Sequence, residues 1–226
     1  RETSPDIIIT QDQCEVCAVS LKDVCESVNA VLDKNVEIVS LKPNYLSDIF
    51  MDILTIGKAT GTWDKAEKLV FSLKQRIEDI KEKLSGIDTK PRFIFIEWIE
   101  PIMVGANWIP EMVNIAGGTY AFAETGKHTP TVSWEDIVNF DPEVLLFSPC
   151  GFKLNQTFAD LPFFTEKPEW KNISAVKNKR VFSVDGNLYF NRPSQRIVDS
   201  LEMMAKMIHP EIFGEVTFNG NEGTRI

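Results

Sequence analysis

Two cysteines in the spacing Cys14-Glu15-Val16-Cys17 follow directly on the apolar run Asp6–Thr10 (DIIIT). A C-x-x-C pair can hold a soft metal or cycle as a disulfide, although a structural zinc needs four ligands and one pair supplies only two. Cys150 stands in the same relation to a second apolar run, Val144–Ser148 (VLLFS). Ligands of open α/β sheets gather beyond the carboxyl ends of the strands. Cys14, Cys17 and Cys150 can therefore converge on one cleft, as a thiol-based metal or redox site. The competing reading is three unrelated small residues near strand ends. Cys25 lies inside a helical pattern and reads as core.

Aromatic residues also collect after apolar runs. Trp98 closes Arg92–Trp98 (RFIFIEW), with Met103 and Trp108 just beyond, and Tyr189, Phe190 and Arg192 follow Val181–Val184 (VFSV). Aromatic walls with a few directed polar groups suit a flat, largely apolar ligand. Core packing for the tryptophans and loop anchoring for Tyr189 and Phe190 are the alternatives. The two histidines carry little: His209 precedes Pro210 at a helix end, where it caps, and His128 lies in a polar loop. There is no G-x-S-x-G, Walker loop, H-E-x-x-H or G-x-G-x-x-G. The chain is expected to bind rather than to catalyse.

The elements that position these residues alternate between strand and helix, which predicts an α/β fold with mainly parallel sheets. Strands are expected at Asp6–Thr10, Val36–Leu41, Arg92–Trp98, Val144–Ser148 and Val181–Val184. Helices are expected at Cys14–Leu32, Tyr45–Lys58, Asn107–Ala116, Ser133–Asn139 and Pro193–Ile208. Ser133 reads as an N-cap with Asp136 three residues on. The longest helical pattern, Trp63–Leu84, has apolar residues at Ala66, Leu69, Val70, Leu73, Ile77, Ile80 and Leu84, and would run roughly 30 Å. The expected organisation is a partial N-terminal lobe at 1–61, a bridging helix at 62–86, a C-terminal lobe at 87–212 and a flexible tail at 213–226.

With 33 acidic against 24 basic residues the net charge is −9, which repels phosphate backbones and argues against nucleic-acid binding. No apolar run approaches the roughly 18–20 residues that span a bilayer.

Four segments, SPDIIITQDQCEVCAV (Ser4–Val19), EWIEPIMVGANWIPEMVNIAGG (Glu97–Gly118), TVSWEDIVNFDPEVLLFSPCGF (Thr131–Phe152) and VFSVDGNLYFNRPSQRIVDSLEMMAKMIHPE (Val181–Glu211), resemble in order and spacing the cobalamin-binding branch of the class III periplasmic substrate-binding proteins. The resemblance implies two Rossmann-like lobes joined by one long helix, with the first lobe incomplete in this chain because relatives carry a further half-lobe before DIIIT. It implies an extracytoplasmic protein without intrinsic cofactor, which captures a corrinoid such as cobalamin between the lobes and delivers it to an ABC importer permease. An iron–siderophore or haem on the same fold is the alternative. By position it carries a permease-facing glutamate onto Glu135 and cleft roles onto the Met103 region, the loop before Val132 and the stretch up to Arg192. Thr129 stands near an expected cleft tryptophan, and Met103 where phenylalanine is common.

Overall fold

The computed structural model describes residues 5–12, 20–31, 36–220 and 222–226, and the chain divides into two compact units, residues 1–74 and 75–226. Cys14 and Cys17 lie outside the described residues.

In the first unit, β1 (Ile7–Gln11) and β2 (Glu37–Leu41) pair in parallel with Ile7 opposite Glu37 and Gln11 opposite Leu41. The helix α1 (Leu21–Val31) connects them, as a parallel pair requires. The next helix, α2 (Leu46–Ala59), starts where the Asp48 carboxylate turns back to accept from the main-chain N–H groups of Asn44 and Tyr45, at 2.9 and 3.0 Å. It ends at Gly61, whose φ of +67° suits glycine. Leu46, Ile49 and Phe50 supply its buried face. Gly57 lets the following helix approach closely: a Cβ there would sit 2.4 Å from Cβ of Ala66.

That following helix, α3 (Trp63–Lys83), is the long helix the periodicity predicts. Its buried positions Ala66, Val70, Leu73, Ile77 and Ile80 recur every three or four residues, which places them on one stripe. The division between the units falls inside it, after Lys74. On its first half, Lys74 lies over the Phe50 ring at 5.9 Å. On its second half, the Arg76 guanidinium forks onto Glu202 at 2.8 and 2.7 Å and reaches Asp199 at 2.6 Å.

The second unit is a six-stranded sheet in the order β4-β3-β6-β7-β8, with β5 also on β3. Its strands are β3 (Arg92–Trp98), β4 (Met103–Val104), β5 (Thr119–Tyr120), β6 (Val144–Phe147), β7 (Val181–Val184) and β8 (Gly223–Arg225). β3, β5, β6 and β7 run parallel, while β4 and β8 are antiparallel. The helices are α4 (Ile109–Ile115), α5 (Trp134–Phe140), α6 (Leu154–Asp160), α7 (Pro162–Thr165), α8 (Ser174–Lys177), α9 (Ile197–Ile208) and α10 (Pro210–Phe213).

β3 and β6 are buried on both faces, which is why they read as near-continuous apolar runs. Ile94, Ile96, Leu145 and Phe147 pack with Ile137, Phe164 and Trp170 in one core cluster. Phe95 meets Phe190 with ring centroids 5.4 Å apart. Each such side chain taken from water contributes about 1.5–3 kcal/mol.

The last residues differ from expectation. Residues 223–225, read as part of a flexible tail, form β8, and the chain continues the pairing to a hydrogen bond from Ile226 N–H to Val181 C=O at 2.8 Å. The glycine-rich composition concealed this because Gly223 is buried where a Cβ would meet the Phe218 ring at 2.4 Å, so close packing rather than flexibility selects glycine there.

Candidate functional site at the carboxyl edge of the second sheet

The parallel strands β3, β6 and β7 all end at one edge, and the loops beyond them carry most of the residues singled out from the sequence. Trp98 ends β3, followed by Ile99 and Glu100; after β6 come Pro149, Cys150 and Phe152; after β7, Asp185, Gly186, Asn187 and Tyr189. The second and third loops are sewn together. Gly186 N–H donates to Phe152 C=O at 2.9 Å, and Asn187 Nδ2 donates to Gly151 C=O at 2.9 Å. Asn191 Nδ2 donates to Ser148 C=O at 2.8 Å. Gly186 is needed for this crossing, since a Cβ there would stand 1.9 Å from the Pro149 carbonyl oxygen.

Beside the crossing lies a groove of about 410 Å³ lined by Trp98, Ile99, Glu100, Phe152, Ala159, Asp160 and Phe163. Trp98 is 37% exposed, its ring meets Phe152 edge-on at 5.3 Å, and its indole N–H donates to the Glu100 carbonyl at 3.0 Å. The indole is thereby fixed with apolar surface open to solvent. Glu100 and Asp160 supply the charges of the lining, which holds no lysine or arginine. Cys150 is exposed at the same edge, and its N–H donates to the Glu97 carbonyl at 3.0 Å.

On the other flank of β3, Met103 is the register partner of Trp98 and bridges to Thr131. The Glu97 side chain is tucked in here, accepting from Thr129 Oγ1 at 3.2 Å and from the Ala106 N–H. Burial pushes its carboxyl pKa up, opposed by those two hydrogen bonds and by the nearby His128. Tyr120, pushed well up by burial and by Glu97, donates its hydroxyl to Gly105 C=O at 2.7 Å. Glu97 is not among the residues singled out from the sequence, although its signal is there: one carboxylate directly after the apolar run Phe93–Ile96.

The remaining candidates divide. Tyr189 is half-buried at the edge, with its pKa raised by burial and by Glu222, and Arg192 is exposed. Trp108 and Phe190 are corrected by the structure: they are 4% and 1% exposed, packed into the core rather than presented to a ligand. Phe190 adopts φ of +59°, which turns its ring inward onto Phe95. His209 is buried as a helix cap, with Nε2 3.1 Å from Gly117 C=O and Nδ1 2.9 Å from Glu211. Glu135 is exposed in the first turn of α5, beside the Ser133–Asp136 capping pair (2.6 Å). Among the described residues, no group of three or more His, Cys, Asp or Glu is placed to hold a metal ion, and no helix is long and apolar enough to cross a membrane.

This fold matches the periplasmic binding protein family, whose model covers residues 2–188, and the chain belongs to that family. Its structural neighbours are class III members with a two-lobe fold. The chain is similar to an uncharacterized ABC transporter substrate-binding lipoprotein, YvrC, of Bacillus subtilis, at 26% identity over 93% of this chain and 64% of the relative. It is 27% identical to a vitamin B12-binding protein of Vibrio parahaemolyticus over 69% of this chain and 54% of the relative. It is 22% identical to the Fe(3+)-citrate-binding protein YfmC of Bacillus subtilis over 93% of this chain and 62% of the relative. The chain thus spans between about half and two thirds of the length of these relatives. Among solved structures it is similar to an ABC transporter substrate-binding protein from Listeria monocytogenes (TM-score 0.74, 22% identity, 91% of this chain and 77% of that one). The periplasmic vitamin B12-binding protein BtuF of Vibrio cholerae also matches (TM-score 0.64, 20% identity, 90% and 73%).

Proposed function

We propose that the chain belongs to the ligand-capturing component of an ABC importer, working outside the cytoplasmic membrane, and that its guest is a corrinoid such as cobalamin. The observation that carries the ligand class is the groove at Trp98: three aromatic rings and two carboxylates, with no cationic side chain in the lining. Aromatic faces suit a flat macrocycle. The carboxylates favour a guest with amide N–H donors or positive charge and disfavour an anionic one by like-charge repulsion. A corrinoid carries amide side chains around a cationic cobalt centre. Iron–citrate and haem present carboxylates, which the acidic lining meets poorly.

In this reading Trp98, Met103, Cys150 and Tyr189 border the guest, Arg192 stands outside the groove, and exposed Glu135 faces a basic patch on the permease. Chemistry on the guest is not part of the task, since capture and release suffice for delivery.

Titration of the complete natural protein with cyanocobalamin, followed by tryptophan fluorescence, tests the reading. Saturable quenching at micromolar ligand or below is expected, with iron–citrate and haem ineffective over the same range. A protein that responds to iron–citrate and not to the corrinoid would refute it.

A further inference from the structure

We propose that the groove at Trp98 is also a site for small organic cations of the alkylammonium class, which it takes in their own right. The proposal rests on the groove being the capture site, as read above, and adds a second class of guest to it. It does not depend on the larger guest being a corrinoid.

Three of the seven lining residues are aromatic and two are carboxylates. Trp98 is held in one orientation by its N–H bond to the Glu100 carbonyl and by its edge contact with Phe152, which leaves ring surface open to solvent. The face of an aromatic ring is the negative pole of its quadrupole and attracts a cation placed over it. One ring of the lining already does this within the chain. Lys167 Nζ lies 4.6 Å over the Phe163 ring, and 5.7 Å over the ring of Trp134, which stands outside the groove.

The carboxylates add charge that the chain leaves unanswered. Elsewhere in this unit Asp199 and Glu202 meet Arg76, Asp141 and Glu143 meet Arg92, and Glu215 meets Arg225. Glu100 and Asp160 are exposed, and among the described residues no lysine or arginine pairs with either. Two exposed carboxylates alone would hold a cation weakly. Apolar ring faces beside them strip water from a guest and strengthen the attraction. This pairing selects an alkylammonium over a metal ion, because a divalent metal needs about six oxygen ligands and gains little from rings. At about 410 Å³ the groove lies toward the lower end of small-ligand sites, which suits a compact guest.

The probes are choline and 3,3-dimethyl-1-butanol, which share one shape and differ in a positive nitrogen against a neutral carbon. Binding is read from the indole N–H resonance of Trp98, assigned by its loss in Trp98→Phe. Choline is expected to shift this resonance saturably and to bind about tenfold more tightly than the alcohol, within the range of a cation over an aromatic face. Glu100→Gln with Asp160→Asn is expected to erase most of that preference, and sodium chloride to weaken choline and not the alcohol. Should the double variant fail to fold, the salt series on the unsubstituted protein carries the comparison. Equal binding of the two probes, or a preference that neither salt nor the substitutions reduce, overturns the proposal. Cyanocobalamin titrated into the same sample keeps the two readings apart. Choline binding without cyanocobalamin binding overturns the corrinoid and spares the cation site; the converse spares the corrinoid and overturns the cation site.

Discussion

The indole N–H of Trp108 donates to the main-chain carbonyl of Phe190 at 2.9 Å, inside the core of the second unit. The bond ties the turn before α4 to the loop after β7, two segments 82 residues apart in the chain. Ser200 Oγ accepts from the Phe190 N–H at 3.0 Å, so both polar groups of that peptide are spoken for in a dry interior. Trp108→Phe keeps the ring and removes the donor, stranding a buried carbonyl. A loss of about 1–3 kcal/mol is expected, read as a lower urea midpoint at unchanged slope.

Trp98→Ala addresses the groove rather than the core. The indole is exposed and held at the rim by its bond to Glu100 and its edge contact with Phe152, outside the core, so the stability loss should be smaller than for a core tryptophan. Affinity for cyanocobalamin should fall by about tenfold or more, as for an aromatic anchor at a binding surface. Isothermal titration measures this; unchanged affinity would remove the groove from the site.

Asp52, on α2, has its carboxyl pKa pushed up to about 6 from 3.8 by burial and then by the neighbouring charge of Asp48. Between those two values the folded protein holds the proton more tightly than the unfolded chain. This contribution to stability is therefore complete below about pH 4 and is lost as pH rises through about 6. Asp52→Asn removes the titration. Its thermal midpoint should exceed that of the wild type at pH 7, and the difference should shrink toward pH 4.

Arg76 is partly exposed, as are Asp199 and Glu202, so solvent screens the cluster despite its short bonds. Arg76→Ala should cost about 1 kcal/mol at low salt and less in concentrated sodium chloride. A denaturation series in both buffers distinguishes this from a packing loss, which salt would not diminish.

Gly186→Ala places a methyl against backbone, at the Pro149 carbonyl, where no side chain can swing aside. A cost of about 3 kcal/mol is expected, visible as a lowered thermal midpoint.

Much of this architecture was legible because periodicity is a local property. The stripe from Ala66 to Ile80 announced α3, and the apolar runs RFIFIEW, VLLF and VFSV announced the buried strands β3, β6 and β7. The direction of a loop side chain is not local. Nothing in the string around Trp108 or Phe190 says that their rings turn into the core, since that depends on the Phe190 φ of +59° and on a donor and acceptor 82 residues apart. Glu97 escaped for the converse reason. Its place depends on Thr129 and Ala106, which the sequence sets far from it and the sheet brings near. β8 was hidden because its residues are ordinary tail residues until Phe218 and β7 surround them.

The contact between Gly186 and Pro149 also limits how this rim can diversify. With the Pro149 peptide against it and the Asn191 side chain beside it, position 186 has no room for a longer residue, and the two loops keep one fixed outline. Changes of cargo over evolutionary time are thereby channelled to the opposite bank, where Trp98 and Phe163 project from elements that can exchange side chains without moving the chain itself.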